Sequence, residues 1–563
     1  MKLSKNDRNR GGGRIMSRLS FFCVCGVFAS LVGTAFAAKT YTIEAPNGVG
    51  DVAALTNALT ELNKLTESER ASLRVWLEPG LYDLRGVFMN SASHLKLNSA
   101  TGALIAGLGD GPDKTILLGG GDDAEMGRHR ILDISGNNWG YTAVSNLTVT
   151  GGYSTSNGGG ITGNDSGSVQ YYNLIVSNNY AVGSNGGGGG GCMRGRAFNC
   201  LFADNGTAQR GGGLWTSGGC GMMTGTQGAW DCVFTNNYSA KDRYGGGLYL
   251  SGKCKRCKFF GNYSNYGGGV SVSARQYVWY VNQYTNTSEI VDSVFEGNYA
   301  SYGGSGLAVY NNVGATISKC VFSANCSGSG SCVVKGGNLY DCVVTNNTAA
   351  YWILYNCNLE RCLVSGNTVT QNQGLIDGED TAGTHTNVNC VFANNVMTSY
   401  GRISNSKAFV NCTIVGNDSQ IGANYGFICA PDCNLSNCIL SGNKIGGSWL
   451  DIRAIYNPGN TTTSALHMAN CVFVKSQNGV DENWEGLVNC KQVADVKFVD
   501  AANGDYTPKT RSYAYDAGLM ADWILDLVGD RDLAGNPRVF GNRLDAGAYE
   551  SQCWPPGCLL IVK

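Results

Sequence analysis

From about residue 147 to residue 474, apolar and polar positions recur in one short phrase. "DCVFTNNYSAKDRYGGGLYL", Asp231 to Leu250, shows it in full: Cys232, Phe234 two places on, Asn237 five places on, then Gly245 to Gly247 and Leu248. With the cysteine as position zero, the column reads Leu147, Leu174, Cys200, Cys232, Cys257, Ser293, Cys320, Cys342, Cys362, Cys390, Cys412, Cys438 and Cys471. Two residues further stand only valine, phenylalanine, isoleucine or leucine, from Val149 through Phe234 and Ile414 to Phe473. Apolar positions two apart, closed by a turn residue, predict a strand too short to stand alone and a corner after it. Recurrence at twenty to thirty-odd residues predicts coils of a solenoid, each burying its inner face on the next.

Stacked coils of this kind make a parallel β-helix, an all-β fold. Thirteen rungs at ~4.8 Å give a rod of roughly 60 Å. Asn179, Asn205, Asn237, Asn262, Asn298, Asn325, Asn347, Asn367, Asn395, Asn417 and Asn443 fall at position five. Asparagine tolerates the left-handed backbone of a corner, and stacked amides can bond to one another, so this column is expected to be a structural ladder. The triplets Gly158–Gly160, Gly211–Gly213, Gly245–Gly247 and Gly267–Gly269 follow the corner. They suit positive φ and close approach of coils. They do not suit a phosphate cradle, because no Lys-Ser/Thr and no helix follows them.

The ends read differently. A basic head and the run from Leu19 to Ala37, closing on Ala35-Phe36-Ala37, predict a cleaved secretory signal over 1–37. Residues 38–85 are expected to form an N-terminal cap, in which Val52, Leu55, Leu59 and Leu62 share one helical face. The β-helix is placed at 86–500, a C-terminal capping module at 501–552 and a short tail at 553–563. No later apolar run reaches the ~18 residues of a spanning helix, so no transmembrane segment is expected after signal cleavage. Net charge is −1, or −6 without the first 37 residues, and neither balance fits a nucleic-acid partner.

Composition then asks what 23 cysteines do in an exported chain. Ten lie in the stacked column, where leucine and serine substitute for them. They read as buried thiols rather than bridges, because side chains pointing the same way along a rod give a poor disulfide torsion. Cys429 with Cys433, and Cys553 with Cys558, could pair locally. Neither pair has a histidine or second thiol pair for zinc, and no metal or cofactor is expected. The residue before the cysteine alternates Asp231, Arg256, Asp292, Lys319, Asp341, Arg361, which reads as an exposed ion-pair stripe. The residue after it is mostly Val, Leu or Ile despite an outward position, so either a loop covers that stripe or it is an adhesive surface. The binding candidates are tyrosines: Tyr180, Tyr238, Tyr263 and Tyr299 after the asparagine, and Tyr244, Tyr266 and Tyr302 before the glycines. Two such columns could stack on sugars or on a partner protein. His94, His129, His385 and His467 stand apart in sequence and accompany no nucleophile pattern, so the catalytic residues are left unassigned. "GDDAEMGRHR", Gly121 to Arg130, holds the carboxylate and basic types a calcium-assisted uronate lyase needs, as does any polar loop.

Helix, strand-Pro-Gly-x-Tyr, then "VSNLTVTGG" from Val144 resembles the opening of right-handed parallel β-helix proteins of the pectate-lyase-like class. "FTNN" and "GGGL" are similar to the repeats of bacterial polymorphic outer-membrane proteins. "NGDYTPKTRSYAYDAG" and "DRDLAGNPRVFGNRLDAGAYE" resemble the closing module of exported bacterial surface β-helix proteins. The resemblance implies a single right-handed parallel β-helix at or beyond the cell surface, adhesin-like or glycan-contacting and non-catalytic. Its partner would be an extracellular glycan or a host or neighbouring cell surface, and the chain is expected to be a monomer. A polysaccharide lyase or glycoside hydrolase on the same scaffold, or a structural surface-layer component, are the rival readings. Roughly 60 residues after the last coil are expected to be too few for a membrane barrel.

Overall fold

The computed structural model describes residues 39–89, 94–135, 141–163, 168–183, 187–193, 195–216, 227–240, 244–272, 276–278, 283–285, 288–309, 315–371, 373–377, 385–399, 402–404, 408–420, 433–449, 467–474 and 487–554. The expected signal at 1–37, Cys429 and Cys558 lie outside them.

Each coil contributes four short strands, seen in the stretch quoted above: Gly228–Trp230, Val233–Thr235, Tyr238–Ser239 and Leu248–Leu250. Each pairs in parallel with its equivalent one coil away, as in Phe202↔Phe234↔Phe259. Second strands build a 16-stranded sheet, and twelve third strands with the antiparallel strand Ser448–Trp449 a 13-stranded one. First and fourth strands share a 27-stranded sheet because two coils fuse them into nine-residue strands, Cys332–Tyr340 and Trp352–Glu360. The chain is a parallel β-helix.

Position zero and the residue two places on face the interior. Cys232, Phe234, Cys257 and Phe259 are fully buried. Phe202, Phe234, Phe259, Phe295 and Phe322 stack with centroids 4.6–4.9 Å apart and planes within 10°. That spacing is the rise of one coil, so the rings pack face to face along the axis.

Three corners use left-handed backbone. The residue before the cysteine has φ of 48–55°, from Asn146 through Asp231, Arg256 and Arg361 to Asn489. The second corner corrects the reading of the asparagine column. The left-handed residue there is the one before it: Asn178, Asp204, Asn236, Gly261, Gly297, Ala324, Asn346, Gly366, Asn394, Gly416 and Gly442, at φ 52–66°. A short side chain or none suits that conformation, and the next asparagine is left free to turn its amide inward. At the third corner Gly245 has φ 69°, and a Cβ on Gly246 would lie 2.4 Å from the Tyr263 carbonyl of the next coil.

The helix Val52–Asn63 is N-capped by Asp51, whose carboxylate accepts from the Ala54 amide. It buries Leu55, Ala58, Leu59 and Leu62 on the first coil, with Val52 half-buried beside them. At the other end, residues 496–548 lie over the outer face of the second strands. Val496, Ala514 and Ala546 cover Ile439 and Val472; Tyr506 and Ala548 cover Val391 and Val415. The apolar stripe after the cysteine is therefore covered only in these last coils, while Ile175, Leu201, Val233, Val294, Val321 and Val343 stay half-exposed.

Candidate functional site

The third strands begin at position six, which points outward. In register this column reads Tyr153, Tyr180, Gly206, Tyr238, Tyr263, Tyr299, Cys326. Four of its tyrosines belong to the sequence-derived set. Tyr153 and Gly206 were missed, although position six alone finds both; the asparagine that marks it is Gly152 in that coil. Tyr238 and Tyr263 are 43% and 42% exposed, an unusual amount for adjacent large aromatics.

Ring geometry decides what the column offers. Tyr263 and Tyr299 stack 5.3 Å apart with planes 1° from parallel, giving their faces to each other and their edges and hydroxyls to solvent. Tyr180 and Tyr238 are tilted by 49° at 6.4 Å across Gly206. Burial raises the Tyr238 and Tyr299 phenols above their ordinary value, so both are neutral hydrogen-bonding hydroxyls at physiological pH. At the N-terminal end the loop containing "GDDAEMGRHR" reaches the column. The Arg128 guanidinium sits 5.6 Å from the Tyr153 ring centroid and pairs with Asp122 at 3.0 Å.

The second sequence-derived set, Tyr244, Tyr266 and Tyr302, stands at the glycine corner. Tyr244 and Tyr266 stack at 5.3 Å, and Tyr266 and Tyr302 at 6.3 Å. It adjoins the fourth strands, where one register column runs Trp215, Tyr249, Ser271, Ala308, Lys335, Tyr355 and Asp377, with Ser271, Ala308, Tyr355 and Asp377 buried. Arg210 lies 5.9 Å from Tyr244 and 5.3 Å from Tyr249. Lys335 lies 5.5 Å from Tyr355, while Trp352 Nε1 and Arg402 donate to Asp377 at 3.0 and 2.7 Å. Two aromatic tracts thus run up neighbouring flanks, the second interleaved with cations.

The asparagine column is fully buried and bonded. From Asn179 to Asn443 each Nδ2 donates to the Oδ1 of the next coil's asparagine at 2.8–3.0 Å, through ten consecutive links. The other Nδ2 hydrogen reaches a carbonyl of the preceding coil, as Asn298 does to Phe259.

Other chemistry is dispersed. Asp231 and Arg256 pair at 2.7 Å, and Asp341 and Arg361 at 2.6 Å, on the exposed corner. Burial pulls the His129 imidazole down, and its ring packs edge-on against Phe88 at 5.4 Å. His94 Nε2 meets Asp133 Oδ2 at 3.1 Å, and that carboxylate also takes Arg130 at 2.9 Å. The remaining Arg130 donors go to Ser154, Ser156, Asn157 and Gly158, so it is a buried tie between coils. Among the described residues no group of three or more His, Cys, Asp or Glu is arranged to hold a metal ion. Cys433 is buried and Cys553 exposed. Burial pushes the thiols of Cys232, Cys320 and Cys438 well above their ordinary value. No helix among the described residues is long and apolar enough to cross a membrane.

No protein-family model matches the chain, and no curated protein does. Solved structures similar to it include PfbA, a surface adhesin of Streptococcus pneumoniae, at 12% identity over 63% of this chain and 89% of that one, TM-score 0.29. A mannuronic acid specific polysaccharide family 6 lyase from human gut microbiota matches at 13% over 81% and 90%, TM-score 0.33. The A-module of a mannuronan C-5 epimerase of Azotobacter vinelandii matches at 14% over 63% and 95%, TM-score 0.34.

Proposed function

We propose that the protein is an exported, adhesin-like β-helical rod that contacts glycan along its aromatic flanks without cleaving it. The observation that carries this reading is the third-strand column: five tyrosines in one register line, presenting a row of hydroxyls and ring edges on the outside of a rigid scaffold. Polysaccharide is the matching partner, because its repeat is linear and each residue offers hydroxyls and an apolar ring face. Rigid placement means little ordering cost on binding. Titration calorimetry against soluble plant, algal and bacterial polysaccharides tests it. Saturable binding weakened by Tyr263→Ala supports the reading; no binding to any of them refutes it.

A lyase is the second reading, favoured by Lys335 over the buried Tyr355 ring and the buried Asp377 paired with Arg402 one coil on, which gather cations, a phenol and a carboxylate on one flank. Appearance of unsaturated sugar ends during incubation with polyuronates, abolished by Lys335→Ala, would establish it.

A further inference from the structure

Gly206 breaks the tyrosine column, and nothing in its backbone requires glycine. It is an ordinary strand residue in register with Tyr180 below and Tyr238 above. What it supplies is space. A Cβ there would lie 2.3–2.5 Å from Cζ, Cε1 and the hydroxyl of Tyr238, so the tip of that ring occupies the vacancy. Tyr238 therefore reclines along the rod, away from Tyr263, while Tyr263 and Tyr299 stand upright and stacked. An upright ring gives its faces to its neighbours; the reclining ring is in parallel stacking with neither and is 43% exposed.

The geometry points to a subsite for one uncharged pyranose ring, stacked on the open face of Tyr238 with the Tyr180 ring beside it. This deepens the glycan-contacting reading and rests on it. The surroundings choose the sugar's charge. Asp122 and Arg128 pair with each other at 3.0 Å, so the charges at this end of the column cancel and leave no free cation there, among the described residues, to compensate a uronate. The nearby cation, Arg128, is already committed to Asp122 and to the Tyr153 ring.

Calorimetry with neutral β-glucan, mannan and xylan oligosaccharides, beside oligouronates of equal length, tests the subsite on the full chain. A neutral oligosaccharide should bind, and the oligouronates roughly tenfold more weakly. Tyr238→Ala should lose about tenfold, and Gly206→Val, whose side chain expels the ring tip, should lose a similar factor at unchanged thermal midpoint. Tyr513→Ala, an exposed tyrosine outside both columns, should stay within about twofold. Wild-type protein that binds glycan while both variants match it, or that prefers uronates, overturns the subsite and leaves the broader reading intact. Wild-type protein that binds neither class overturns both.

Discussion

A single ladder asparagine carries four hydrogen bonds in a place no water reaches. Asn298 accepts on Oδ1 from the Asn262 backbone and side chain, and donates to Asn325 and to the Phe259 carbonyl. Alanine there would strand buried partners in the coils on either side, at about 1–3 kcal/mol for each unsatisfied group. We expect Asn298→Ala to lower the thermal midpoint by several degrees, and Asn298→Asp to be worse, because the carboxylate cannot donate. A midpoint equal to wild type would show that the ladder contributes nothing. The thiols make a separate prediction: mass-spectrometric mapping after brief alkylation should find Cys326 and Cys553 modified and Cys232, Cys257 and Cys342 protected until the chain is unfolded. The ion-paired corner is cheaper to alter. Arg256 holds a left-handed backbone that asparagine adopts more readily, so Arg256→Asn should change stability little, the lost exposed pair offsetting the gained conformational ease.

Among the elements, the C-terminal module has the most distinctive electrostatics. Arg538, Asp532 and Asp545 are fully buried and Glu550 nearly so. Burial, then the neighbouring Asp545 charge, holds the Glu550 carboxyl up at about 8; burial holds Asp545 at about 6. Folded module therefore keeps protons that the unfolded chain releases above the ordinary carboxylate range. The stability this confers is complete below that range and is lost as pH rises through about 6 and then about 8. Thermal melts from pH 5 to pH 9 should show the module loosening as pH rises, and Glu550→Gln should flatten the slope. Stability that climbs over the same window would contradict this assignment. Where residues 496–548 seat was not legible in the sequence. Val391, Ile439 and Val472 read like the half-exposed Val233 and Val294, and only the fold reveals which of these identical positions something covers.

For the molecule as a whole, periodicity made most of the architecture readable, because one inward column repeated through thirteen coils constrains every other position. Faces and tracts were harder. Position six exposes Tyr153 in the sequence, yet that Tyr238 reclines into the space at Gly206 depends on ring packing that spacing does not encode. The cation-bearing flank joins Arg210, Tyr249, Lys335 and Arg402 across many coils, separated by insertions of unequal length. What the whole rod is proposed to do is hold a glycan and release it unchanged. The most direct test is the chain-length distribution of polysaccharide recovered after prolonged incubation with saturating protein. The account predicts a bound polymer returned at its original length with no new reducing or unsaturated ends. Progressive shortening, or accumulation of such ends, would show that the flank is a catalytic cleft.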